Sequence, residues 1–245
     1  MFVVVISLIL TLFTSLLELP SVPGLWVQIT VVGIWLGFVL VLAEALYQVT
    51  DAESEIVRKI VHIGTGNVIL FAWWLQVPAW VGIAASVFAA AIALLSYILP
   101  LFPGINSVGR HSWGTFFYAV SIGLLIAWFW PLEKPYYAAI GILIMAFGDG
   151  FAALIGRKFG KHPYQLWGEK KSIEGSLTMA LISYGLTVLI LCSVQGNHWQ
   201  IWLSAIAVAF LATVLEAFSK IGIDNLTVPL GSAAFCFLLN QLLFS

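Results

Sequence analysis

The polar residues able to do chemistry are concentrated in one stretch, Gly148 to Ser176, which reads GDGFAALIGRKFGKHPYQLWGEKKSIEGS between two apolar runs. It holds Arg157, Lys158, Lys161, Lys170 and Lys171, five of the ten Lys and Arg residues, with Asp149, Glu169 and Glu174 of the eleven acids. Cations and carboxylates this dense beside a bilayer are costly to keep, which points to an anion site at the membrane face. A loop whose cations only fix topology is the simpler reading. It accounts for the lysines but leaves Asp149, Glu174 and the glycines without a role.

Asp149 lies between Gly148 and Gly150 at the end of the apolar run AAIGILIMAF, still in helical register. Facing lipid, an ionised carboxylate there would cost at least about 2.5 kcal/mol, so it is expected to face the bundle interior or a polar cavity. It suits a magnesium ligand or the group that orients or deprotonates an attacking hydroxyl; the plainer option is an interhelical ion pair with one of the cytoplasmic arginines. Glycines on both sides allow a backbone or a ligand to come close. Further on, Ser172 is placed to cap a helix whose free N–H groups would point toward Lys170 and Lys171, a cradle for phosphate; an ordinary capped helix with a topology-setting lysine pair is an equal alternative until Asp149 is considered with it. Glu174 would then sit in the first turn, near a phosphate-bridging metal. The sequence contains no GxxxxGK[ST] pattern.

Smaller polar groups accompany this stretch. Arg58 and His62 are four residues apart, on one helical face beside Lys59. Arg110 precedes Gly114 and Thr115, and Glu216 precedes Asp224, Asn225 and Pro229. For His62 a satisfied interior histidine is the simpler assignment, and for Asp224 and Asn225 a solvated loop is an even alternative.

These residues need elements to hold them. With 62% hydrophobic and 9% charged residues and a mean hydropathy of +1.05, the 245-residue chain is far from soluble composition. Apolar runs bounded by Pro, Gly or charge give about nine helices, at roughly 2–18, 24–49, 57–75, 78–99, 113–130, 135–156, 172–194, 198–218 and 226–244. The expected architecture is an all-α integral membrane protein, a compact polytopic bundle of about nine transmembrane helices, eight being an alternative, forming one domain over residues 1–245. The first span lacks a basic n-region and reads as retained. Cys192 and Cys236 fall inside spans and read as small hydrophobes.

With that span order, nine of the ten cations share one face and only Lys134 lies opposite. The positive-inside rule makes that face cytoplasmic. Most acids gather there too, which a topology signal does not explain and an active site for a charged substrate does. The few, clustered cations and a net charge of -1 argue against a nucleic-acid surface.

Taken together, these segments resemble the polyprenol kinase family, which includes phytol, farnesol and dolichol kinases. The matching pieces are Arg58-Lys59-Ile60-Val61-His62 with Gly64, Arg110 with Gly114-Thr115, Gly148-Asp149-Gly150 through Gly156-Arg157-Lys158-Phe159-Gly160, Gly168 through Ser176, and Glu216 with Asp224 through Pro229. They run from about residue 55 to 230, and the phytol and farnesol branch fits better than the longer dolichol kinases. The resemblance implies phosphoryl transfer from a nucleoside triphosphate, commonly CTP, to the hydroxyl of an isoprenoid alcohol such as phytol, farnesol or geranylgeraniol. The lack of a transit peptide suggests a prokaryotic protein or a processed form.

Residues and resemblance converge on one scheme. Asp149, Glu174 and Lys170 are the expected catalytic groups. Arg58, Lys59, His62, Arg157, Lys158, Lys161, Lys171 and Ser172 are the expected nucleotide and phosphate contacts. Mg2+ is expected on Asp149, Glu174 and Asp224, with Arg110, Glu169, Glu216 and Asn225 completing a polar cleft open to membrane lipid. Two rivals are a cytidylyltransferase making a CDP-lipid and a small transporter. The transporter is disfavoured because the charges gather at one face and no internal symmetry is visible.

Overall fold

The computed structural model describes residues 22–49, 54–98 and 113–244. The expected first span at 2–18 and Arg110 lie outside the described residues. Within them the chain forms α1 (Leu25–Val49), α2 (Ser54–Gly66), α3 (Val68–Trp74), α4 (Ala79–Ile98), α5 (Gly114–Phe129), α6 (Pro135–Leu143), a π-helical turn (Ile144–Asp149) and α7 (Gly150–Phe159). A two-stranded hairpin, β1 (Pro163–Leu166) and β2 (Glu169–Ser172), then leads into α8 (Ile173–Gln195), α9 (Trp199–Ala217) and α10 (Asp224–Leu243).

The helix positions follow the apolar runs closely, because a bilayer demands about 20 apolar residues per crossing and Pro, Gly or charge ends each run. Among the described residues six helices are long and apolar enough to span: α1, α4, the continuous α6–π–α7 unit, α8, α9 and α10, with α5 shorter but equally apolar. The expected helix at 57–75 is two pieces, broken at Asn67, whose side-chain amide donates to the Ile63 carbonyl at 2.9 Å.

The α6–π–α7 unit is the axis of the molecule. In its apolar window 72% of residues are buried, against 11% in α1 and α4, so among the described residues it is wrapped by protein while those two are largely exposed. Helices α2, α3, α5, α8 and α10 pack on it, and α9 lies outside against α8 and α10. Leu125, Phe129, Tyr137, Ile140, Met145, Met179 and Cys236 fill the space between them. Gly141 lets α6 touch the α10 backbone, since a side-chain carbon there would collide with the Pro229 carbonyl oxygen.

The hairpin was not apparent from sequence. Its turn is Trp167-Gly168, with φ of 48° and 88°, the double positive φ that a two-residue hairpin requires. Pairing is antiparallel, with Tyr164 opposite Lys171 and Gln165 opposite Lys170. Because strand side chains alternate, Tyr164 and Lys171 turn inward while Gln165 and Lys170 are exposed.

Candidate active site

The π turn sets Asp149. A wide turn inside an α-helix shifts the register of the residues after it, and such turns often occur where a side chain must be re-aimed. Asp149 is buried and forms an ion pair with Lys59 of α2, whose ammonium group is equally buried. Three residues further along the same α2 face, His62 Nε2 stands 3.8 Å from the Asp149 carboxylate and 3.3 Å from the Met145 carbonyl oxygen in the π turn. The neighbouring glycines serve helix packing: Gly148 faces Met179 and Gly150 faces Ile63.

A second pair comes from the hairpin and α9. Lys171 donates to both the carboxylate and the main-chain carbonyl of Glu216, which is buried in the last turn of α9. The two pairs belong to one cluster: the Lys171 ammonium acts electrostatically on Asp149, and Asp224, at the start of α10, interacts with Asp149, Lys59 and Lys171. Asp224 is held by Asn225, whose backbone N–H and side-chain amide donate to its Oδ1 at 3.1 and 3.2 Å. Between Glu216 and Asp224 the chain turns sharply, with Ile221 at φ 59°, a strained value for a β-branched residue. The Ile221 carbonyl accepts the Trp113 N–H at 3.2 Å, tying this loop to the start of α5.

Three carboxylates and two ammonium groups from five elements thus converge at one end of the bundle. Of the expected residues, the structure brings together Asp149, Lys59, His62, Lys171, Glu216, Asp224 and Asn225. Arg58 lies half-buried within electrostatic reach of His62. The inclusion of Glu216 as a partner of Lys171, and of Lys59 as a partner of Asp149, was not foreseen.

Other expected members stand apart. Glu174 accepts from the backbone N–H groups of Lys161 and His162, at 3.0 and 3.4 Å, and contacts His162 Nδ1 at 2.8 Å. It therefore clips the base of the hairpin and takes no part in the Asp149 network. Lys170 points outward by strand alternation. Arg157, Lys158 and Lys161 are exposed, with Lys158 over the Phe159 ring at 5.4 Å, and Glu169 sits beside the hairpin turn.

The start of α8 is closed rather than open. Ser172 caps it, as its side chain accepts the Gly175 N–H at 3.1 Å. The Ile173 N–H goes to the His162 carbonyl at 3.0 Å. The expected phosphate cradle is thereby occupied by the chain's own acceptors.

Among the described residues there is no group of three or more His, Cys, Asp or Glu side chains arranged to hold a metal. The donors present fit Mg2+ in a different manner. That ion commonly takes one or two carboxylates and completes its shell with water and substrate phosphates, and Asp149 and Asp224, which interact electrostatically, are hard oxygen donors of that type.

The chain aligns over most of its length with known proteins. It is 52% identical over 214 residues to the phytol kinase of Synechocystis sp., covering 87% of this chain and 92% of the relative. The chain belongs to the polyprenol kinase family, in its phytol and farnesol kinase branch. Plant members of the family are more distant: phytol kinase 1 of Arabidopsis thaliana, chloroplastic, is 29% identical over 82% of this chain and 72% of its own length. Farnesol kinase of the same plant, also chloroplastic, is 28% identical over 76% of this chain and 66% of its own. No family model and no solved structure matches the chain.

Proposed function

We propose that this protein is a prenyl alcohol kinase that transfers the terminal phosphoryl group of a nucleoside triphosphate, CTP by family resemblance, to phytol, farnesol or geranylgeraniol. The observation that carries the reading is the cluster of buried Asp149, Glu216 and Lys59 with half-buried Asp224 and Lys171. A lone structural ion pair would explain two of these residues; five from separate elements suit a polyanion and its counter-cation.

Lys59 and Lys171 attract the triphosphate and neutralise its charge. Bound on Asp149 and Asp224, Mg2+ would supply charge stabilisation to the phosphate oxygens. The alcohol oxygen forms a bond to the terminal phosphorus, the bridging P–O bond breaks, and the nucleoside diphosphate leaves; the hydroxyl proton passes to one of the clustered carboxylates. Little covalent chemistry is asked of the protein, so holding the groups in line accounts for most of the catalysis. The prenyl chain lies among the exposed apolar side chains of the bundle, in contact with lipid, and the site opens at the cytoplasmic face.

Purified protein in lipid nanodiscs, incubated with prenyl alcohol and nucleotide labelled at the γ phosphate, tests this. Label in a prenyl monophosphate supports the kinase. Label in pyrophosphate would replace it with nucleotidyl transfer. Repeating the assay over four nucleotides and three alcohols identifies donor and acceptor by product mass.

A further inference from the structure

Tyr118 of α5 reaches the Asp149 network without touching Asp149 by hydrogen bond. Its ring is buried, and its centroid lies 4.2 Å from that of the His62 imidazole at an interplanar angle of 31°. Its hydroxyl donates to the His62 main-chain carbonyl at 3.5 Å. The same hydroxyl is packed against Gly66, one turn beyond His62, where a side-chain carbon would collide with both Tyr118 and Ala146 of the π turn. One aromatic side chain therefore contacts α2 at two successive turns, at the level where α2 meets the π turn.

We propose that Tyr118 is a positioning residue for phosphoryl transfer: its ring braces the His62 imidazole, which spans the gap to Met145 and Asp149 and keeps the carboxylate in register with Lys59. The inference rests on the reading of Asp149 as part of the transfer site. A ring packed at a tilt against one face restricts the rotation of the imidazole, and Nε2 then keeps its contacts with the Met145 carbonyl and the Asp149 carboxylate. Replacing the ring by an aliphatic side chain fills the volume but lets the imidazole turn. A group displaced by even about 1 Å at a reacting centre can cost up to about a hundredfold in rate.

The test compares Tyr118→Phe, Tyr118→Leu, His62→Gln and the double variant Tyr118→Leu/His62→Gln in nanodiscs. Tyr118→Leu is expected to lower kcat by roughly tenfold or more with both KM values nearly unchanged. Tyr118→Phe should retain most activity, since it keeps the ring. The double variant should be no slower than His62→Gln alone, because both changes remove one brace. The ring 15N signals of His62, assigned by their loss in His62→Gln, should move in Tyr118→Leu and stay in Tyr118→Phe. An unchanged kcat and His62 signal in Tyr118→Leu would overturn the proposal, as would additive losses in the double variant or a rise in nucleotide KM at constant kcat. If the wild-type protein phosphorylates no prenyl alcohol, the kinase reading fails, and the His62 signals still decide whether Tyr118 fixes the imidazole.

Discussion

At Asp149 two demands meet in one carboxylate, and they separate experimentally. Asp149→Asn should reduce kcat by roughly a hundredfold or more, since the charge that faces the phosphoryl group is gone. It also strands the buried Lys59 ammonium, and breaking a buried pair by one partner costs about 3–5 kcal/mol. The melting temperature should therefore fall as well. Removing both charges in Lys59→Met/Asp149→Asn should recover most of the thermal stability while leaving the enzyme inactive. Recovered turnover in the double variant would show that the pair is structural. The two adjacent lysines make a second contrast. Lys171→Met, which breaks the bond to Glu216, should raise nucleotide KM by about 10- to 100-fold, the range of a hydrogen bond to a charged group. Lys170→Met, on the exposed face of the hairpin, should stay within about twofold of wild type. From sequence the two are indistinguishable, because only the strand's alternation tells them apart. Nor could local patterns show that Lys59 pairs with a residue 90 positions away, or Lys171 with one 45 away.

The elements were legible in proportion to how strictly the solvent dictates them. Apolar runs long enough to cross a bilayer announce themselves, and α8 begins one residue from its expected start, directly after the Ser172 cap. The hairpin has strands of four residues, the first opening on Pro163 and the second carrying three charges, and a Trp-Gly turn in place of Asn-Gly, so neither propensity nor turn chemistry flags it. The π turn has no sequence signature at all. Its consequence, the placement of Asp149 toward α2, became visible only from the fold. Helix packing yields its own prediction. Gly141→Ala forces α6 away from the Pro229 carbonyl in a backbone-to-backbone contact that cannot relax by side-chain rotation. Overpacking of this type costs typically about 1–3 kcal/mol, so the melting temperature should drop. Gly33→Ala on the exposed α1, where nothing among the described residues lies within 4 Å, should not lower it. Equal melting temperatures for the two variants would show that α6 and α10 are not packed as closely as described.

Over the whole molecule the axial helix determines which side of the membrane the chemistry occupies. From Pro135 to Phe159 it runs 25 residues, about 37 Å at 1.5 Å per residue, enough to cross a hydrocarbon core of about 30 Å. Leu132, in the turn before it, and Lys170, in the hairpin after it, therefore lie on opposite sides of the bilayer, and both are exposed. The other four cations of the Gly148–Ser176 stretch accompany Lys170, and on the positive-inside rule we propose that the hairpin and the ion cluster face the cytoplasm, where nucleotide is available. The two native cysteines lie within α8 and α10, Cys236 fully buried, and leave a low background for thiol labelling. In intact cells a membrane-impermeant maleimide should label Leu132→Cys and spare Lys170→Cys. In inside-out vesicles the pattern should reverse, and bound nucleotide should slow labelling of a cysteine on the hairpin if Lys171 beside it closes on phosphate. Labelling of both positions from one side would mean that the axial helix does not cross. Labelling of Lys170→Cys in intact cells would place the triphosphate site where no triphosphate is supplied.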